Sequence, residues 1–313
     1  MVAGISGLSG AVRGSLAAIL GEGVSFDEPL ARHCSFGVGG PADAFCDVGQ
    51  LSVLRRLLDV LAAHEVRWIV LGRGTNVIPS DRGLRGVAIR LEGEFGHVEV
   101  HGRCLEAGAA AALSLLVERA ATRELGGLEF TAGIPGCVGG SLPGNSGTAS
   151  ESLGDRVEEV EILEPGGAAR TLHAMDMRFS YRNSSLRNCG GIITRAHFRM
   201  ESRPRAEVMQ RVREYAERRK SQPLAHPNAG CIFKNPPGHP AGKLIDEAGL
   251  KGFRSGGAEV SPMHANFMVN MGGATAADVA ELIGRVREKV LSKTGVLLET
   301  EIVLLDELGR PAC

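Results

Sequence analysis

The chain has 313 residues and a formal net charge of −1, with 43 glycines against 2 tyrosines and 1 tryptophan. That length allows two or three packing units, and the near-neutral charge offers no chain-wide basic excess to nucleic acid. Seven cysteines, an odd number without a Cys-x-x-Cys pair, suggest free thiols in a reducing compartment. No metal is expected. No stretch approaches the roughly 20 apolar residues of a membrane span. Residues 1–22 lack the basic start and strong apolar block of a signal peptide. The chain is therefore expected to be soluble and cytoplasmic.

In chain order, Leu51, Leu54, Leu58 and Leu61 recur at helical spacing and predict a helix over 51–64. Trp68-Ile69-Val70-Leu71 reads as a buried strand entering the turn Gly72-Arg73-Gly74-Thr75-Asn76. Val87, Ile89 and Leu91 alternate as in a strand, and the Ala- and Leu-rich residues 110–123 favour a helix. Gly133-Ile134-Pro135-Gly136-Cys137-Val138-Gly139-Gly140-Ser141 and Gly144-Asn145-Ser146-Gly147 are too broken for an element interior. Strands are predicted at 157–164 and 191–200, and a helix near 205–219. In the last helix Thr275 and Asp278 resemble a capping box, and Gly295 can end it. A final strand is predicted over 296–305. Alternating strands and helices give an α/β or α+β protein, with its clearest break near Ser202-Arg203-Pro204.

Backbone N–H groups in the 72–76 turn can form an anion nest for a diphosphate, although the same residues also make a plain tight turn. Val77 stands where a dinucleotide fingerprint needs its third glycine. Gly238-His239-Pro240-Ala241-Gly242-Lys243 is shorter than a phosphate loop and has no Ser or Thr after the lysine. The 133–147 run is dense enough in glycine for a flat ligand to lie against bare backbone, its bland alternative being a structural loop. Composition alone does not identify that ligand.

Six segments then occur in one order: Gly72–Asn76, the Gly133–Gly140 block, Tyr181-Arg182-Asn183-Ser184, Gly230-Cys231-Ile232-Phe233-Lys234-Asn235-Pro236, Ala241-Gly242-Lys243-Leu244-Ile245 and Leu298-Glu299-Thr300-Glu301. Together they resemble the UDP-N-acetylenolpyruvoylglucosamine reductase family over residues 30–305. The resemblance implies an α+β protein with a vanillyl-alcohol-oxidase-like FAD-binding fold. Two α/β subdomains (1–95 and 96–202) would hold non-covalent FAD, and a C-terminal α+β domain (203–313) would bind the substrate. The spacing between Arg182 and Cys231 matches the family's short form. The implied partners are NADPH and UDP-N-acetylglucosamine enolpyruvate, acted on by a monomer or weak oligomer with no nucleic acid and no membrane insertion.

The resemblance also assigns roles. NADPH would give a hydride to the flavin, and the hydride would then pass to the substrate's methylene carbon, leaving charge to be stabilised and quenched by a proton. Arg182 corresponds to the stabilising arginine, whose fixed charge can grip a carboxylate. Glu301 corresponds to the catalytic glutamate. Glu299 and Glu301, two apart on the predicted strand, would share a face. Cys231 occupies the position of the usual proton-donating serine; a thiol is a competent acid with a reference pKa near ~8.5. Cofactor contacts fall on Gly72, Arg73, Gly74, Thr75, Asn76, Gly133, Ile134, Pro135, Gly136, Gly139, Gly140, Ser141, Asn145 and Gly147, and substrate contacts on Tyr181, Lys234, Asn235, Lys243 and His264. The chain departs from the pattern at Gly37, often basic in the family, and at Leu142-Pro143-Gly144. Two other readings fit parts of the pattern: an alcohol oxidase or dehydrogenase on the same fold, and a nucleotide-binding regulator without chemistry.

Overall fold

The computed structural model describes residues 7–312. The reading of residues 1–22 therefore falls partly, and Cys313 wholly, outside the described residues. The first lobe contains α1 (Gly10–Leu20), β1 (Val24–Pro29), β2 (Pro41–Val48), α2 (Leu51–Ala63), β3 (Trp68–Val70), β4 (Val77–Pro79) and β5 (Leu84–Leu91). Its sheet runs β1-β2-β5-β3, with β5 parallel to both β2 and β3. The apolar stripe of α2 is buried through Leu54, Leu57, Leu58 and Leu61. Helix α1 has no counterpart in the sequence reading. The Ser9 hydroxyl caps it, and it buries Val12 and Leu16, the latter worth roughly 1.5–3 kcal/mol if fully removed from water. Strand β3 is an edge strand with Val70 42% exposed, not the buried strand expected.

The second lobe holds β6 (Val98–His101), β7 (Cys104–Gly108), α3 (Leu113–Ala121), β8 (Leu125–Gly126), α4 (Val138–Ser141), β9 (Val157–Leu163), β10 (Ala169–His173), β11 (Ile192–Arg199) and β12 (Glu201–Ser202). Its five-stranded sheet, β10-β9-β11-β7-β6, is antiparallel throughout. One hydrophobic core runs continuously through the first two lobes.

Next come α5 (Arg205–Arg218), β13 (Asn228–Cys231), α6 (Ala241–Glu247), β14 (Arg254–Ser255), β15 (Ala258–Val260), β16 (Phe267–Asn270), α7 (Ala276–Thr294) and β17 (Val303–Leu305). The sheet β13-β16-β15-β14 and α7 share a separate core. The capping box at Thr275/Asp278 and the left-handed Gly295 bound α7 as expected. Helix α5 instead directs Val212 and Tyr215 onto the second lobe's core. The amphipathic pattern of a helix does not say which neighbour its stripe meets.

The third lobe is stitched to the first. Strand β17 pairs in parallel with β4, and the Asp81 carboxylate accepts from the N–H groups of Ala276 and Ala277 at the start of α7 (2.8 and 2.9 Å). The Ser35 hydroxyl donates to the Asn228 carbonyl at 2.6 Å. No helix among the described residues is long and apolar enough to cross a membrane.

Candidate active site

The two glycine segments meet. A Cβ on Gly72 would stand 2.9 Å from Cys137 Sγ and 3.8 Å from Gly140 Cα. Gly74 adopts φ +61, and a Cβ there would lie 1.9 Å from the His33 carbonyl oxygen. A Cβ on Gly139 would come within 2.9 Å of that of Ala109. Only glycine permits these approaches. The result is a cleft of about 1030 Å³ between the lobes, one stretch of whose wall is bare backbone.

Of the expected cofactor residues, Gly72 to Asn76, Gly133 to Gly136, Gly139, Gly140, Ser141 and Gly147 line this cleft. Asn145 is not among them. It is buried at φ +44, its amide donating to the Ser180 carbonyl and accepting from Gly154 N–H, so it braces the loop from behind. Asn76 also has a structural duty, since its side chain donates to the Glu301 carbonyl at 3.2 Å.

Arg182, Cys231 and Glu301 line the same cleft. Arg182 sits in the tight turn closed by the Ser180–Asn183 bridge, in the left-handed region at φ +54. Its Nη2 donates to the Gly147 carbonyl at 3.1 Å. Its Nε lies 2.7 Å from Glu301 Oε1, but off the line of a hydrogen bond. Cys231 ends β13, and the buried Asn266 pins the residues after it. The Asn266 amide accepts from Phe233 N–H (3.0 Å) and donates to the Phe233 carbonyl (2.8 Å). Glu301 N–H donates to the Ile232 carbonyl at 2.7 Å.

The segment carrying the two glutamates is not a strand; regular pairing begins only at Val303. The expected shared face is therefore absent. Glu299 lies 74% exposed beside Lys234 (3.2 Å), whereas Glu301 turns into the cleft. Leu298 and Ile302 are still buried; their anchoring takes precedence over strand alternation here.

Burial pushes the Cys231 thiol up to about 12, and the Glu301 carboxylate adds to the rise. Arg182, Arg219 and a hydrogen bond from Asn266 pull the other way. Burial also raises the Glu301 carboxyl, against the opposing charge of Arg182. Both groups thus favour their protonated forms beside guanidinium groups that would stabilise the anions.

Tyr181, Lys234, Asn235, Lys243 and His264 do not line the cleft; most of them form an adjoining ledge. The Tyr181 hydroxyl accepts from Asn235 N–H at 3.1 Å, and the Asn235 side chain accepts from Ala241 N–H at 2.9 Å. The His264 ring lies close to Gly242, where a Cβ would meet its Cε1 at 3.2 Å. Lys243 occupies the first turn of α6, 3.7 Å from Glu247. Burial holds the His264 imidazole below its usual value. Its Nδ1 accepts from Asn266 N–H, so the ring proton sits on Nε2.

Arg187 and Arg219 also line the cleft and make no ion pair among the described residues. The sequence reading missed both as site residues. The basic cluster Arg218-Arg219-Lys220 was visible, but nothing local showed that only Arg219 turns inward. With Arg73 and Arg182 they surround a single lining carboxylate, that of Glu301, which suits a polyanionic ligand.

Comparison with known proteins adds to this geometry. Residues 222–305 match the family model of the UDP-N-acetylenolpyruvoylglucosamine reductase C-terminal domain, and residues 42–173 match that of an FAD binding domain. The chain is 41% identical to UDP-N-acetylenolpyruvoylglucosamine reductase 2 of Symbiobacterium thermophilum, over 88% of this chain and 90% of that protein. It is 36% identical to the Bacillus subtilis reductase, over 89% and 93%. The crystal structure of UDP-N-acetylenolpyruvylglucosamine reductase from Thermus caldophilus superposes with a TM-score of 0.78 at 40% identity, covering 88% of this chain and 97% of that one.

Proposed function

The chain belongs to the UDP-N-acetylenolpyruvoylglucosamine reductase family, and we propose that Arg182, Cys231 and Glu301 carry that family's reaction here. The protein is an NADPH-dependent, FAD-containing oxidoreductase. It reduces UDP-N-acetylglucosamine enolpyruvate to UDP-N-acetylmuramate in peptidoglycan precursor synthesis. The observation that carries the site proposal is convergence: three groups from separate segments line one cleft between the glycine loops and the third lobe.

The residues present suit FAD. The abutting Gly72, Gly139 and Gly140 leave a side-chain-free wall for a flat ring, and the exposed Arg73 lies beside the 72–76 turn where a diphosphate would be held. Bound there, FAD would supply the hydride-transfer chemistry that links NADPH to the substrate's methylene carbon.

The protein's own residues handle what hydride transfer leaves behind. Negative charge builds on the carbon next to the transferred hydride and on its carboxylate. Arg182 is a permanent cation in the cleft, and its guanidinium, 2.7 Å from Glu301 Oε1, has the fixed charge and paired donors to meet the substrate carboxylate. Arg219 adds a second positive charge in the same cleft. Cys231 Sγ–H gives the proton that completes reduction. Its elevated pKa keeps that proton in place until a strongly basic carbon forms, and the two arginines stabilise the thiolate left behind. Glu301, itself disposed to hold a proton, is suited to return one to Cys231.

Tyr181, Lys234, Asn235, Lys243 and the neutral His264 are proposed to hold the sugar nucleotide on the adjoining ledge. The division at 95/96 and 202/203, a cytoplasmic location and a monomeric or weakly associating state belong to the same proposal.

Purified protein should be yellow and should oxidise NADPH only when the enolpyruvyl sugar nucleotide is added. NADPH oxidation indifferent to that substrate would exclude the assignment and favour an oxidase. Absence of flavin would favour a regulator.

A further inference from the structure

Behind the cleft a charged cluster joins the second glycine loop to α5. Arg211 Nη2 lies 3.1 Å from Glu151 Oε1 and 3.2 Å from Oε2, and the Tyr215 hydroxyl donates to the same carboxylate. The cluster is largely shielded, the Arg211 and Glu151 side chains being 33% and 24% exposed. Nothing in the reaction described above uses it.

Its two ends lead into the site. Glu151 closes the turn in which Thr148 N–H donates to the Glu151 carbonyl at 2.7 Å, and Gly147 bridges Ser152 across that turn. The Gly147 carbonyl is the acceptor that holds Arg182 Nη2. At the other end, Arg219 follows α5 directly, one helical turn beyond Tyr215, and enters the cleft near Cys231. One carboxylate thus ties the acceptor of one guanidinium to the helix that delivers the other.

We propose that Glu151 is a positioning residue: by clamping Arg211 and Tyr215 it sets the placement of both Arg182 and Arg219 around the reacting carbon. This inference rests on the assignment of Arg182 made above. A helix shifted by about 1 Å would carry Arg219 with it, and misplacement on that scale is worth up to ~100-fold in rate. Of the backbone that walls the flavin site, Gly72, Gly139 and Gly140 lie outside the cluster, and Gly147 is the lining residue the two share.

The test uses Glu151→Ala, Glu151→Gln and Tyr215→Phe in the holoenzyme, each also combined with Arg182→Lys. Flavin content and bleaching by NADPH should stay within about twofold of the parent, while substrate-dependent return of flavin absorbance slows by about 10- to 100-fold in Glu151→Ala. Affinity for the product, measured by calorimetry, should fall in parallel. Glu151→Gln keeps an acceptor for Tyr215 and should recover part of the loss. In the Arg182→Lys background the further effect of Glu151→Ala should shrink severalfold, because one of the two guanidinium groups it acts through is already altered and only the share carried by Arg219 remains. An equal effect in both backgrounds, or a lowered Tm with unchanged rate and affinity, overturns the inference and leaves the role of Arg182 intact. A fully active Arg182→Lys enzyme removes that role and this inference together. Should Glu151→Ala fail to fold, Tyr215→Phe decides by the same criteria.

Discussion

Arg182 Nε and Glu301 Oε1 are 2.7 Å apart, yet no aligned hydrogen bond joins them. The pair brings together the second lobe and the segment leading into β17, which themselves face each other across the cleft. Arg182 is held from behind by the Gly147 carbonyl, and Glu301 by Asn76 and Ile232 through its backbone. The Arg182 side chain is thus held by a partner besides Glu301, whereas Glu301 is held through its backbone and its side chain meets Arg182 alone.

The first prediction follows from that electrostatic contact. Burial raises the Glu301 carboxyl, and Arg182 opposes the rise. Arg182→Gln removes the opposing cation, so the ionisation of Glu301 in the pH dependence of kcat/KM should move to higher pH; Arg182→Lys should move it less. The raised pKa also means that the folded chain keeps a proton the unfolded chain has lost. Glu301 therefore lowers stability as pH climbs from the ordinary carboxylate value to the raised one. An unchanged profile in Arg182→Gln would mean that another group titrates.

Cys231 should behave as an acid and not as a nucleophile. Cys231→Ala should lose about 10²- to 10⁴-fold in substrate-dependent turnover while still bleaching with NADPH, and Cys231→Ser should keep much of the activity. Burial pushes the thiol up to about 12, so alkylation at neutral pH should be slow and should quicken as pH rises, since the thiolate is the reactive form. Fast alkylation at pH 7 would contradict the raised thiol pKa, and wild-type turnover in the Ala variant would leave Cys231 as packing.

Gly74→Ala tests the wall of the flavin site. Its φ of +61 strains any L side chain by about 1–2 kcal/mol, and the new Cβ would stand 1.9 Å from the His33 carbonyl oxygen. Tm should fall by more than about 5 °C, and purified protein should carry less FAD. A variant with parental Tm and flavin content would show that the turn can open without cost.

Much was legible in the sequence because it is local. The stripe of α2, the capping box of α7, the strands β9 and β11 and the need for glycine at 72–76 and 133–147 follow from periodicity and backbone sterics over a few residues. The roles proposed for Arg182, Cys231 and Glu301 came from the resemblance of six ordered segments to a known family and not from local physics. What needed the tertiary structure is relational. Strand alternation placed Glu299 and Glu301 on one face, whereas burial of Leu298 and Ile302 and the hydrogen bonds around Ile232 turn them apart. Asn145 reads like a ligand contact, yet it serves the loop's own backbone. Arg219 is one of three consecutive basic residues, and only the docking of α5 on the second lobe selects which of them faces Cys231. The thiol's reluctance to ionise likewise comes from burial, a property of everything packed around residue 231 and of no residue next to it in the chain.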